Sequence, residues 1–258
     1  MMSIGNEISL VMDRNRQASV GNNHTTGYEK TVGEIVTGDY NKSAIFREAG
    51  IDFCFNGSRS LKEACEIGGL DLDDIINRLK TAGKTSNLPK MDFQCWNTRF
   101  LMRYIEQVHH QYILSNTPFV AEFAQKVART DGARHPEIVK VAEVFSNTGN
   151  QLMLYTQQDE QSLFTLLYHI EAENEDDAVT ERFEKSKEIV ALIRKMEPEY
   201  KRILEDFKQI RKLTDNYQVP KYTTVAYGIL FKLIKEYEDD LYLYFHLKNN
   251  ILFPKALG

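Results

Sequence analysis

Hydrophobic residues recur with helical spacing from about residue 96 onward and predict four long amphipathic helices. Glycine and proline mark the first break between them, at Gly132 and Pro136, and the second break is the acidic stretch 171–177. Long amphipathic helices with short connections are typical of an antiparallel four-helix bundle, so we predict an all-α fold. The four predicted helices cover residues 96–130, 136–174, 180–214 and 220–250.

A smaller helical module precedes the predicted bundle. Ser60 followed by Glu63 is typical of a helix-capping box, and Gly68–Gly69 predict the end of the helix that this box starts. Other short helical patterns lie on either side of it. The predicted organisation is a flexible N-terminal segment at 1–30, a small helical N-terminal module at 31–84, a linker at 85–95 and the bundle at 96–258.

Composition narrows the functional classes. The 258 residues carry 32 basic and 37 acidic side chains, a formal charge of −5, which disfavours nucleic acid and anionic membrane as partners. No apolar run approaches the roughly 20 residues of a membrane span, and the first residues do not resemble a signal peptide. Three cysteines do not make a disulfide framework, so we expect a cytoplasmic protein with reduced thiols.

Several polar side chains fall on the apolar stripes of the predicted bundle helices. Tyr155 and Asp159 share a row in the second helix, Tyr200 lies on the third, and Tyr244 and Lys248 continue a row in the fourth. A buried charge is costly without a partner, so an inward aspartate and lysine suggest each other. Two plainer interpretations stay open: tyrosine on such a stripe is usually ordinary core, and a lysine near a helix end can extend into solvent.

Other chemical motifs are sparse. His109 and His110 are adjacent, and helical spacing predicts that only one of them faces the core. The six histidines do not fall at matched positions on four helices, and His169 with Glu173 forms a lone helical pair. We find no nucleophile context and no phosphate-binding loop, so we assign no catalytic residue and do not favour an enzyme.

Distinct segments nevertheless resemble one known family. Two of these segments lie in the N-terminal module: VGEIV at 32–36 and FREAGIDFCFNGSRSLKEACEIGGLD at 46–71. The segments in the bundle are YIEQVHHQY at 104–112, KVARTDGARHPE at 126–137, LFTLL at 163–167, MEPEY at 196–200, LTDNYQVP at 213–220 and EDDLYLYFHLKNNILFPKAL at 238–257. Over about residues 31–256 the chain resembles the repair-of-iron-centres family, which joins a small cysteine-bearing module to a hemerythrin-like four-helix bundle.

The resemblance implies a non-haem di-iron site held by five histidines and two bridging carboxylates, and a role in restoring damaged iron–sulfur clusters. When the family's ligand positions are compared one by one with this chain, most of them carry a different residue. His110 matches a family histidine. The residues that stand at the other ligand positions are Asp131, Tyr155, Asp159, Tyr200, Tyr244 and Lys248. The family's vicinal cysteine pair reads Cys54–Phe55 here, before Asn56 and Gly57, so the dithiol is lost.

These replacements predict a hemerythrin-like protein that has lost its di-iron site, binds no cofactor and acts as a binding or regulatory protein under nitrosative or oxidative stress. Lys248 would take the place of the metal charge and neutralise Asp159 or Asp131, while the phenols complete a hydrogen-bond network. The alternative is an iron-binding repair protein with an altered His/Asp/Tyr site. The partner is unknown from sequence, with iron–sulfur or stress-response proteins and a homodimer left open.

Overall fold

The computed structural model describes residues 29–82, 91–172 and 179–257. The predicted N-terminal segment and most of the predicted linker lie outside these ranges, as does most of the acidic break between the second and third bundle helices. Within them every regular element is helical and the only bridge is an isolated pair, Thr31 and Ser60, so the all-α prediction is confirmed. No helix in the described ranges is long and apolar enough to cross a membrane.

The N-terminal module contains four short α-helices whose ends follow local chemistry. Thr31 and Glu34 form a capping box at the start of α1, and Ser60 accepts the backbone N–H of Glu63 at the start of α3. Gly50 and Gly69, both with positive φ, end α2 and α3. The bounds are Val32–Gly38 for α1, Ser43–Ala49 for α2, Leu61–Gly68 for α3 and Leu72–Ala82 for α4.

Four long helices follow, and the described bounds of the first three agree with the prediction to within two residues, whereas the fourth begins five residues later and ends seven residues later than predicted. We label them α5 (98–131), α6 (137–172), α7 (Val179–Leu213) and α8 (225–257). Three of them contain a stretch with π-helical hydrogen bonding, in which one extra residue is accommodated in a turn. These stretches are Ile105–His110 in α5, Asp159–Phe164 in α6 and Leu247–Leu252 in α8.

The chain divides into two compact units. One consists of residues up to Leu101 together with the segment from Phe245 onward, and the other is Met102–Tyr244. The boundaries predicted from sequence placed the end of the last helix with the bundle, and they stay a prediction. The second unit holds most of the four long helices, and the first holds the N-terminal module with the end of α8.

An aromatic layer fills the centre of the Met102–Tyr244 unit. Phe145, Phe207 and Tyr237, from three different helices, have ring centroids 5.2–6.2 Å apart. The hydroxyl of Tyr237 lies 2.6 Å from that of Thr117, which supplies the fourth helix. Gly149 lets α6 approach α5 closely at this level, because a Cβ there would lie 2.5 Å from the Thr117 methyl carbon. This layer supports the polar cluster described next.

Candidate functional site

A buried polar cluster joins all four long helices in the Met102–Tyr244 unit. The hydroxyls of Tyr200 and Tyr244 both donate to Oδ2 of Asp159, at 2.7 Å and 2.9 Å. The Tyr244 oxygen lies 3.3 Å from Nε2 of His110, whose Nδ1 lies 3.0 Å from Glu160. We call these five residues the Asp159 cluster. The sequence predicted four of them, and Glu160 is an addition that the apolar rows did not indicate.

Two of the π-helical stretches supply most of the cluster. His110 ends the stretch in α5, and Asp159 and Glu160 begin the stretch in α6. The wider π turn also lets His109 and His110 both be buried, at 1% and 0% exposure. The prediction that only one of them faces the core is therefore wrong, because it assumed uninterrupted 3.6-residue spacing.

Hydrogen positions in the cluster follow from the number of donors. Since the Tyr244 hydroxyl donates to Asp159, its oxygen accepts a proton that Nε2 of His110 carries. Nδ1 of the same ring faces the Glu160 carboxyl group. Both imidazole nitrogens are thus engaged, and the two phenols are engaged as donors.

The surroundings keep both phenols protonated. Burial raises the pKa of Tyr244 well above its usual range, and the negative charge of Asp159 raises it further. Burial also raises the pKa of Tyr200 well above its usual range, with Tyr244 and Asp159 adding to the effect. Both side chains act as hydrogen-bond donors to a carboxylate at any ordinary pH.

Tyr155 lies beside the cluster without joining its hydrogen bonds. Its ring packs edge-on against that of Tyr200 with centroids 5.8 Å apart, but its hydroxyl donates to Glu199 at 2.8 Å. Partial burial, followed by the hydrogen bond to Glu199, raises its pKa. The expectation that this phenol completes the inner network is not met.

Asp131 lies far from the cluster. Its carboxylate accepts the backbone N–H of Thr224 at 3.1 Å and the Thr224 hydroxyl at 2.8 Å, just before α8 begins. Tyr244 is 20 residues further along the same helix, which is about 30 Å at 1.5 Å per residue. The expected pairing of Asp131 with the inner charges is therefore wrong, since Asp131 caps the opposite end of the bundle.

Lys248 belongs to the other compact unit, in the π-helical stretch Leu247–Leu252. The side chain is 2% exposed, so the interpretation in which it extends into solvent is wrong. Its ammonium nitrogen lies 5.8 Å from the ring centroid of Phe245. The predicted pairing with Asp159 stays a prediction.

The N-terminal motif packs against the end of α8 within the first unit. Asp52 accepts the backbone N–H groups of Cys54 and Phe55, and the Cys54 thiol is buried. The Asn249 amide donates to the Cys54 carbonyl at 3.1 Å, and the rings of Phe55 and Phe245 lie 5.2 Å apart. Phe55, at the position where the family resemblance implies a second cysteine, thus makes an aromatic contact.

Asn250 and His246 complete this contact between the N-terminal motif and the end of α8, and sequence spacing did not single them out. The Asn250 amide donates to the Phe53 carbonyl at 2.8 Å and lies 3.0 Å from Nδ1 of His246. A Cβ on Gly57 would lie 2.1 Å from the Asn250 side-chain oxygen. Burial lowers the pKa of His246 to about 3, so the ring is neutral and Nδ1 accepts. We call Phe53, Gly57, His246 and Asn250 the Asn250 joint.

A second histidine–carboxylate pair lies next to the Asp159 cluster. Nδ1 of His109 is 2.9 Å from Asp240, while Nε2 is buried and has no hydrogen-bond partner among the described residues. The His109 ring stacks at 6.0 Å on that of Tyr244. The described residues contain no group of three or more His, Cys, Asp or Glu side chains arranged to hold a metal ion.

Comparison with known proteins places these sites in context. Residues 28–83 match the ScdA_N domain, described as a domain of unknown function. The iron-sulfur cluster repair protein ScdA of Staphylococcus epidermidis is 24% identical over 88% of this chain and 98% of its own length.

Two further relatives carry similar names. A probable iron-sulfur cluster repair protein of Haemophilus influenzae is 27% identical over 89% of this chain and 97% of its own length. The iron-sulfur cluster repair protein YtfE of Yersinia pseudotuberculosis is 25% identical over 83% of this chain and 90% of its own length. The domain match at the N-terminus and relatives that align along nearly the whole chain agree with the residues first noticed in the sequence. These similarities support the resemblance to the repair-of-iron-centres family that the sequence indicates.

Proposed function

We propose that this chain is a repair-of-iron-centres protein without a di-iron centre, which acts as a metal-free binding or regulatory protein in the cytoplasm during nitrosative or oxidative stress. The names of its relatives support a role in iron–sulfur cluster repair. The Asp159 cluster supports the metal-free part of the proposal.

The hydrogen bonding of the Asp159 cluster carries the proposal. Oδ2 of Asp159 accepts two phenol protons, and both nitrogens of His110 face hydrogen-bond partners. A metal ion binds through lone pairs on its ligand atoms. Binding at these oxygen and nitrogen atoms would therefore require the hydrogen bonds of the cluster to break first. Breaking these buried hydrogen bonds would leave polar groups without partners, which costs free energy.

The charge of the cluster also disfavours a pair of irons. Two iron ions bring a charge of roughly +4 or more, which di-iron proteins balance with several carboxylates. The cluster offers Asp159, fully buried, and Glu160, which is 34% exposed. The phenols could add negative charge only as phenolates, and burial opposes that ionisation. The residues present therefore do not fit a di-iron centre.

A changed metal site is the second candidate. Imidazole, carboxylate and phenolate can together hold ferric iron, and His110, Asp159 and Tyr244 are linked by direct hydrogen bonds. A metal at this point would have to displace the phenol protons. Ferric phenolates absorb visible light strongly, so colour distinguishes this candidate from the metal-free one.

The deciding experiment is iron loading of the purified full-length protein. The protein is incubated with ferrous iron without oxygen, part of it is then oxidised, and elemental analysis follows extensive dialysis. We expect less than about 0.1 iron per chain and no visible absorption band. About two irons per chain would contradict the metal-free proposal, and one iron with a phenolate band would favour the changed site.

Three variants test which residues determine whether the protein binds iron. We expect Lys248→Glu to remain without iron, because a single carboxylate does not restore the histidines that the family resemblance implies. If the wild-type protein does hold iron, Asp159→Asn should abolish binding when the ion lies in the cluster. Asp206→Asn is the matched control, since Asp206 accepts the Thr148 hydroxyl elsewhere in the same unit. Tight stoichiometric binding by Lys248→Glu would show that the other replacements do not exclude iron.

A further inference from the structure

The Tyr244 phenol faces a proton acceptor in the interior of the bundle. Its side chain is 0% exposed, and its hydroxyl donates at 2.9 Å to Oδ2 of Asp159, which is also 0% exposed. A side chain accepts a proton directly over about 2.6–3.2 Å, so this pair is placed for proton transfer. Because burial raises the pKa of Tyr244 well above its usual range, the phenol transfers this proton only when it also loses an electron.

Other tyrosines in the described ranges donate to carboxylates nearer the surface. In each of those pairs at least one partner is partly exposed, whereas the bonds of Tyr200 and Tyr244 to Asp159 join buried groups. An oxidised phenol near the surface would meet solvent and other radicals, and the side chains around the Asp159 cluster exclude both. The partly exposed pairs are Tyr155 with Glu199, Tyr168 with Glu106, Tyr217 with Glu238 and Tyr227 with Glu137.

The hydrogen bonds of the cluster favour oxidation of Tyr244. A phenol that has lost one electron is a far stronger acid than a carboxylic acid, so its proton moves to Asp159. No buried radical cation then forms, which spares the interior an isolated charge on the ring. Nε2 of His110, 3.3 Å from the Tyr244 oxygen, continues to donate to it, so the phenoxyl oxygen keeps a hydrogen bond. The Tyr200 hydroxyl also faces a second acceptor, the Tyr155 carbonyl at 3.5 Å, so Tyr244 is the favoured site of the radical.

Two ring contacts lead from Tyr244 towards the surface of the same unit. The His109 ring stacks on that of Tyr244 with centroids 6.0 Å apart, and the Tyr104 ring packs edge-on against His109 at 5.5 Å. The bond from Nδ1 of His109 to Asp240, 2.9 Å long, fixes the middle ring, and Tyr104 is partly exposed. Electrons pass between rings in contact, whereas a molecule needs an opening. An oxidant at the surface can therefore take an electron from Tyr244 without reaching it.

We propose that Tyr244 is a redox-active tyrosine that reduces one-electron oxidants of the nitrogen dioxide class. The O–H bond of Tyr244 breaks, one electron passes to nitrogen dioxide, which becomes nitrite, and the proton forms a new O–H bond on Asp159. The phenoxyl radical persists, because the buried ring is kept away from other radicals. An ascorbate-type reductant returns the electron, and the proton moves back from Asp159. This activity goes beyond the proposed binding role, and the choice of oxidant rests on the proposed function in nitrosative stress.

Flash oxidation of the purified full-length protein in a chelator tests the tyrosine, with photo-oxidised tris(bipyridine)ruthenium as oxidant and electron paramagnetic resonance as readout. We expect a persistent neutral tyrosyl signal that Tyr244→Phe loses and Asp159→Asn forms about 100-fold more slowly, since a positioned proton acceptor contributes about that factor. Tyr237→Phe is the matched control and keeps the signal, because buried Tyr237 contacts the Thr117 hydroxyl at 2.6 Å and not a carboxylate. Site-specific 3-fluorotyrosine in place of Tyr244 keeps the hydroxyl and should change the hyperfine pattern.

A persistent signal in Tyr244→Phe, an unchanged pattern with the fluorinated residue, or no persistent signal in the wild type would overturn the proposal. Nitrogen dioxide generated by pulse radiolysis then tests the oxidant. We expect the same persistent radical, with nitration found by mass spectrometry at Tyr222, which is 88% exposed, and not at Tyr244. A radical with the ruthenium oxidant but not with nitrogen dioxide would refute the link to nitrosative stress and keep the redox-active tyrosine. Iron analysis of the same preparation reports separately on the metal-free proposal.

Discussion

Each polar side chain in the Asp159 cluster has a defined role because the cluster is buried. Asp159 is the common acceptor, Tyr200 and Tyr244 are donors, and His110 connects the cluster to the less buried Glu160. In water these bonds would add little, but inside the bundle each unmade bond has a cost. Stability measurements should therefore separate the members of the cluster from neighbours such as Tyr155.

Asp159→Ala should lower the free energy of unfolding by about 2–4 kcal/mol, because two buried phenols lose their acceptor. Tyr155→Phe should lower it by less than about 1 kcal/mol, since the Tyr155 hydroxyl bonds to Glu199 near the surface. Urea unfolding followed by circular dichroism measures both. Equal effects of the two substitutions would contradict the assigned roles.

The neutral His246 in the Asn250 joint predicts a pH dependence of stability. Its pKa is lowered from 6.5 to about 3, so the unfolded chain takes up a proton below pH 6.5 that the folded protein resists. The contribution of neutral His246 to the free energy of unfolding is complete above about pH 6.5. It is lost as pH falls towards 3, by about 1.4 kcal/mol per pH unit.

His246→Gln removes this titration while keeping a side chain that can accept from Asn250. The difference in unfolding free energy between wild type and variant, measured in urea from pH 7 to pH 4, cancels the common contribution of the carboxylates. We expect the wild type to lose stability more steeply than the variant below about pH 6.5. Parallel pH profiles would show that His246 becomes protonated without cost.

Among the helices, those with clear ends and long amphipathic patterns were predictable from sequence. The Ser60 cap and the Gly68–Gly69 stop set α3, and Gly132 with Pro136 set the turn between α5 and α6. The π-helical stretches were not predictable, because one extra residue in a turn leaves the average 3.6-residue pattern almost unchanged. That extra residue is what buries both His109 and His110.

The close packing of α5 against α6 predicts the effect of a substitution at Gly149. Gly149→Ala should favour the helix by about 1 kcal/mol, but the new methyl group would lie 2.5 Å from the buried Thr117 methyl carbon. Overpacking of a core costs about 1–3 kcal/mol, so we expect a net loss of stability of up to about 2 kcal/mol. Gly38→Ala is the control, since no atom lies within 4 Å of its Cβ position. A Gly149→Ala protein more stable than wild type by the full helix gain of about 1 kcal/mol would show that α5 and α6 can separate without cost.

For the whole molecule, the family resemblance predicted where the site lies, but it did not identify all of the residues that form it. The alignment brought Asp159, Tyr200 and Tyr244 to one place, and the structure confirms their contacts. It also assigned Asp131, although that residue precedes the turn at Gly132 and lies one bundle length from the cluster. Helix length alone could have revealed this, whereas Glu160 and Asp240 required side-chain positions that no sequence pattern contains.

A metal-free bundle predicts that metal ions do not affect the stability of the whole protein. An ion that binds only the folded state raises its stability by about 2.7 kcal/mol when present at 100 times its dissociation constant, which shifts the melting temperature by several degrees. The aromatic layer and the Asp159 cluster fill the centre of the bundle with ring contacts and hydrogen bonds between its own side chains. We therefore expect thermal unfolding to be the same, within about 1 °C, in chelator and in excess ferrous iron without oxygen. A reproducible upward shift with iron that Asp159→Asn abolishes, and that Asp206→Asn retains, would place a metal in the cluster and contradict the metal-free proposal.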